Sequence, residues 1–131
     1  MKKFFLILSV LILIALFFNY HPSVVSIDIE ESFYSTFKIE NSKVYIYCNV
    51  LIKNPNKNGV KIELAGMFNN DFKNGLLKDP LLNGYSADCE TSTFELEEGD
   101  NRIDVVFIGD YAGNNQKYDR MLPDIRIHEL Q

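Results

Sequence analysis

The chain has 131 residues, 47% of them hydrophobic, with seven Tyr, ten Phe and no Trp, which excludes a disordered or low-complexity protein and fits one globular domain plus a short extra segment. The formal charge is −5; with Lys2 and Lys3 set aside, eleven basic residues face eighteen acidic ones, a formal −7. A domain of that sign repels phosphate backbones and anionic lipid head groups, so nucleic acid is excluded as a partner.

Met1-Lys2-Lys3 precedes the apolar run Phe4–Phe18, which extends through Asn19 to Tyr20. Positive charge followed by such a run is an export signal, and its length lies between a signal-peptide core and a membrane span. Ala-x-Ala is absent, and the best cleavage match, Val24-Val25-Ser26, is weak and late. An uncleaved signal-anchor over residues 1–22, crossing the membrane through residues 4–20, is therefore favoured. The alternative is a cleaved signal and a secreted product. Lys2 and Lys3 hold the N-terminus inside, so residues 23–131 lie outside the cytoplasm in either case.

His21-Pro22-Ser23 breaks the first helix. Val25, Ile27 and Ile29 alternate with polar residues, and Phe33, Ser35, Phe37 and Ile39 continue the alternation after a bend. Glu40–Lys43 reads as a turn. Val44–Lys53 carries the clearest strand pattern: Val44, Ile46, Cys48, Val50 and Ile52 on one face, Tyr45, Tyr47, Asn49, Leu51 and Lys53 on the other. Asn54–Gly59 is a turn, and Val60, Ile62 and Leu64 mark the returning strand. Gly66–Ser92 has no single period and predicts one or two short strands or a helical turn, because a structureless loop of this length is rare in a small domain. Thr93–Leu96, Arg102–Gly109 and Leu122–Leu130 read as further strands, separated by the turn at 97–101 and a polar loop at 110–119.

Short strands joined by turn residues define an all-β, antiparallel β-sandwich preceded by one N-terminal hydrophobic helix. The stretch Phe94–Phe107, F-E-L-E-E-G-D-N-R-I-D-V-V-F, resembles the E-to-F hairpin of immunoglobulin-like and fibronectin-III-like modules. The resemblance covers fourteen residues and implies an immunoglobulin-like sandwich that binds or spaces. It departs from true immunoglobulin domains in having no Trp after the central strand and no Cys in Arg102–Gly109.

Cys48 and Cys89 are the only cysteines. Outside the cytoplasm they are a candidate disulfide, against the reading of Cys48 as a small core residue. Asn54-x-Asn56-x-Asn58-Gly59 imitates the start of a calcium loop, but its oxygens are neutral amides and its twelfth position is Ala65, so a turn is the reading. Glu95, Glu97, Glu98, Asp100 and Asp104 around one hairpin, and Asp110, Asp119 and Asp124 around another loop, read as solvated acidic rims. His21 and His128 have no neighbours at metal-site spacing. No nucleophile, phosphate-loop or metal motif occurs, so no metal, no cofactor and no catalysis are expected.

The candidate binding residues are aromatic: Tyr45 and Tyr47 on the outer face of the central strand, and Tyr111 and Tyr118 beside the loop Gly113-Asn114-Asn115. The functional expectation is a non-catalytic, membrane-anchored extracytoplasmic protein-binding or accessory module of the bacterial envelope, with another envelope protein as partner. The alternative is a secreted structural or carbohydrate-associated module.

Overall fold

The structure, a computed structural model, describes residues 24–130; the expected N-terminal helix and anchor lie outside them. Seven strands and one short helix follow in order: β1 (Ser26–Glu40), β2 (Lys43–Asn54), β3 (Val60–Met67), α1 (Asn69–Lys73), β4 (Leu81–Ser86), β5 (Thr93–Leu96), β6 (Gly99–Asp110) and β7 (Asp124–Leu130). All pairing is antiparallel. The path runs β1-β2-β6-β4-β3-β5, with β7 also on β3.

The period-two pattern of β2 is the reason the core sits where it does. Val44, Ile46, Cys48, Val50 and Ile52 are all buried to 1% exposure or less. Val105 and Phe107 of the neighbouring strand β6 extend the same inward face, being paired with Cys48 and Ile46, and Ile62 and Leu64 of β3 and Leu76, Leu77 and Leu82 from the segment without a clear period complete the core. That segment resolves into one of each expected element, α1 and β4. Three of its leucines enter the core, whereas Leu81 stays 51% exposed.

β4 joins the two halves of the fold. Its Leu81–Asn83 pair with Met67–Ala65 of β3, while Gly84–Ser86 pair with Phe107–Val105 of β6. The hydrogen-bonded path therefore passes from β1-β2-β6 to β3-β5-β7 through one strand. The Phe107 ring then lies against Gly66 of β3, two strands away along the path. Such an arrangement is compatible with a β-sandwich. The predicted pairing within Phe94–Phe107 differs: β5 pairs with β3, and β6 pairs with β2 and β4. The turn at 97–101 is a crossing from one ladder to the other. Asn101 builds it, accepting from the Glu97 N–H at 2.9 Å and donating to the Glu97 and Gly99 carbonyls at 2.9 and 3.1 Å.

The expected bend in the first strand is a pair of ladder irregularities. Asp28 pairs with Leu51 but Phe33 with Asn49, and Tyr34 pairs with Cys48 but Thr36 with Tyr47. Extra residues in one strand of an antiparallel pair leave ladder groups without their usual partners. Ser32 fills the gap: its buried hydroxyl accepts from the Leu51 N–H at 2.9 Å and donates to the Asp28 carbonyl at 2.7 Å. Arg102 braces the same bulge, donating to the Glu31 carbonyl at 3.1 Å and to Asn49 Oδ1. The β1–β2 turn has Asn41 and Ser42 both at positive φ, 51° and 62°, the two-residue arrangement that matches strand twist.

Candidate functional site

Three places gather the chemistry-bearing side chains. The first is the outer face of β2-β6-β4. Register sets Tyr47 opposite Val106 and Val106 opposite Tyr85, and sets Lys38 opposite Tyr45 and Tyr45 opposite Ile108. Val106 is 0% exposed although it stands outside the main core cluster. It lies between the two half-buried tyrosine positions on the face opposite the core. Lys38 Nζ lies 5.0 Å from the centre of the Tyr45 ring. The face turns polar toward Asn49, which donates to Asp104 at 2.7 Å.

The second is a buried polar cluster at the loop after β6. Asp71 of α1 is 6% exposed and accepts a hydrogen bond from the Tyr118 hydroxyl. Arg120 Nε lies 3.6 Å from the same Asp71 oxygen, both side chains being 9% exposed. The guanidinium stacks 3.9 Å from the centre of the Phe37 ring and 4.3 Å from that of Tyr118, an arrangement that favours a desolvated cation. Arg120 Nε and Nη2 and the Tyr34 hydroxyl are buried without a hydrogen-bond partner among the described residues. Burial, reinforced by the bond to Asp71, pushes the Tyr118 phenol up to about 12. Burial pushes Tyr34 higher still, against the lowering effect of Arg120. Both phenols are therefore neutral at physiological pH, and Tyr118 is the donor to Asp71. Asp71 is committed to Arg120 and Tyr118, so the cluster acts as a clamp that ties the 111–123 segment to β1 and α1. It borders a cleft of about 290 Å³ that includes Phe68, Asp119, Met121 and Asp124.

The third place is an apolar hollow of about 340 Å³ between the start of β1 and the start of β7, lined by Ile27, Ile29, Leu122, Pro123, Asp124 and Ile125. Leu122, Pro123 and Asp124 line both this hollow and the cleft beside Arg120.

The structure thus separates the tyrosines that the sequence groups as binding residues. Tyr45 and Tyr47 share the outer face. Tyr111 packs against the core and bridges to Leu77 through its backbone. Tyr118 belongs to the Asp71 clamp. The acidic positions also disperse: Asp104 meets Asn49 and Asp110 meets Lys43. His128 lies exposed on β7. The Asn54 side-chain oxygen accepts from the Asn56 N–H at 3.1 Å and from the Asn56 amide at 2.9 Å, which makes the motif a self-bonded turn. Sequence reasoning missed Asp71, Arg120, Tyr34, Phe37 and Tyr85. The alternation of β1 places Phe37 inward, but nothing in the local pattern around Asp71 or Arg120 marks an ion pair formed across 49 residues of chain.

Cys48 and Cys89 are both free thiols here, Cys48 at 1% exposure in the core and Cys89 on an exposed turn at φ 63°. Burial, then the nearby Asp71 charge, pushes the Cys48 thiol up to about 12, so it stays protonated and unreactive. Alkylation of the native protein followed by intact mass is expected to add one label, at Cys89, with Cys48 labelled only after denaturation. A native protein that takes no label and gains two labels after reduction would instead establish the disulfide.

With the geometry in view, comparison gives no family to compare it with: no family model, no curated protein and no solved structure matches the chain.

Proposed function

We propose that the chain is a membrane-tethered, extracytoplasmic accessory module that binds another envelope protein through the outer face of β2-β6-β4. The single observation that carries this reading is the row Tyr47–Val106–Tyr85, a fully buried valine between tyrosines on the side of the sheet away from the core. Tyrosine rings held over a buried valine and rimmed by Lys38, Asn49 and Asp104 have the composition of a protein contact: aromatic anchors in the middle and polar groups at the edge. Residues 4–20, read from the sequence as the anchor, supply the tether. Among the described residues no helix is long and apolar enough to cross a membrane.

An immunoglobulin-like sandwich belongs to the same reading. It is supported by the order β1-β2-β6-β4, which follows the A-B-E-D order of such sheets, and by the β3–β7 pair in the role of strands C and F, with β5 on β3 an addition to that scheme. In that alignment β6 is strand E. The resemblance at Phe94–Phe107 is then displaced by one strand.

The test is co-purification of the full-length chain from gently solubilised membranes. The wild type is expected to bring down one stoichiometric envelope protein. The double variant Tyr47→Ser, Tyr85→Ser is expected to lose it while retaining its far-UV spectrum and cooperative melting. Equal recovery of the partner by the folded double variant would reject the face.

A further inference from the structure

We infer that the apolar surface formed by the start of β1 and residues 121–123 rests on the lipid bilayer, so that the domain is held in a fixed orientation. This rests on the tethered reading above. The three most exposed large hydrophobic residues among those described are Met121 at 76%, Ile29 at 72% and Val24 at 70%. Val24 and Ile29 lie where the chain enters the domain, and Met121 immediately precedes Leu122 of the hollow that Ile29 lines. Ile29 and Met121 flank Leu122 and Pro123, which line the hollow and the cleft on either side. Val24 lies three residues before Ile27 of the same hollow.

The length of chain outside the structure decides what covers this surface. Only His21, Pro22 and Ser23 separate Tyr20, the end of the proposed span, from Val24. A fully extended chain covers about 3.5 Å per residue, so Val24 lies within roughly 14 Å of Tyr20. The interfacial layer beyond the hydrocarbon is itself about 5–8 Å deep. The entry end of this surface, at Val24, is therefore within touching distance of the membrane, and the tether presents the rest of it at high effective concentration. Glu30, Glu31, Asp119 and Asp124 accompany it, so apolar insertion drives the contact and anionic lipid opposes it. The tyrosine row, which lies on the outer face of a different set of strands, remains free for its partner.

The test uses the full chain reconstituted into phosphatidylcholine vesicles. A polarity-sensitive dye is attached at Met121→Cys or Ile29→Cys in a Cys89→Ser background. A control carries the dye at native Cys89, which lies on the far side of β3 from β7, beyond β4 and before β5. Dye at 29 and 121 is expected to shift to the blue and to lose most of its emission to brominated lipid, whereas dye at Cys89 keeps an aqueous spectrum. Carbonate extraction of the same vesicles reads the anchor separately. Release of the chain by carbonate would sink the tether, and the docked orientation with it. Retention of the chain with aqueous, unquenched dye at 29 and 121 would overturn the docking alone. A blue shift without lipid quenching would overturn it too, and would give the surface to a second copy of the chain.

Discussion

Replacing Arg120 by methionine is expected to cost about 3–5 kcal/mol of stability, because it leaves a buried carboxylate without its cation. At about 100 residues that corresponds to a melting temperature lower by on the order of 10–20 °C. Asp71 would keep the Tyr118 hydrogen bond but lose the charge that offsets its burial. Methionine retains most of the bulk that Arg120 packs onto Phe37 and Tyr118, so the loss reports the charge more than the volume. The double variant Asp71→Asn, Arg120→Met is expected to recover a large part of the loss, since removing both charges removes the unpaired one. Thermal melts of the wild type, both single variants and the double variant complete the cycle. If the double variant falls by the sum of the two single losses, Asp71 and Arg120 are not coupled and the clamp does not exist. With the clamp broken, the 111–123 segment is also expected to become a site of limited proteolysis while the strands remain protected.

The second large effect is expected at Phe107. Its ring is fully buried and meets Phe68 edge to face, with centres 5.2 Å apart and planes at 65°. Phe107→Ala should cost about 3–5 kcal/mol through lost transfer energy and the cavity left behind. The ring owes its place to two glycines. A Cβ at Gly66 would stand 2.6 Å from the Phe68 ring and 3.1 Å from Phe107. One at Gly84 would stand 2.8 Å from Val105 Cγ2 and 3.2 Å from the Leu64 carbonyl. Gly66→Ala alone is therefore expected to cost about 1–3 kcal/mol by overpacking. In a Phe107→Leu background the same substitution should cost less, because the smaller side chain makes room. Denaturant melts of the four proteins measure that difference. Strictly additive losses would show that the ring and the glycine do not share the space.

The features legible in the sequence were those with a local cause. The alternation in Val44–Lys53 marked both faces of β2, and every residue assigned inward there is buried. The same alternation put Tyr45 and Tyr47 outside, and Asn-Pro-Asn and Glu-Asn-Ser-Lys marked turns through their backbone preferences. Gly66–Ser92 was not legible in detail, because α1 is only five residues long and its neighbours are held by packing against β6 and β2 instead of by their own periodicity. The candidate site was half legible. Tyr47 could be seen to face outward, but Tyr85 and Val106 become its neighbours only when β4 and β2 take opposite sides of β6.

By itself the sequence determined a mostly β chain with a buried central strand, an outward tyrosine pair and an apolar N-terminal run. Each follows from side-chain period or composition within a few residues. The tertiary structure alone decided that β4 divides its pairing between β3 and β6, that Tyr118 leaves the binding tyrosines to hold Asp71, and that Leu122 and Pro123 join the hollow lined by Ile29 to the cleft lined by Met121. These depend on contacts between distant segments. Their energies come from desolvated charge and from shared volume, and neither quantity exists until the strands have paired.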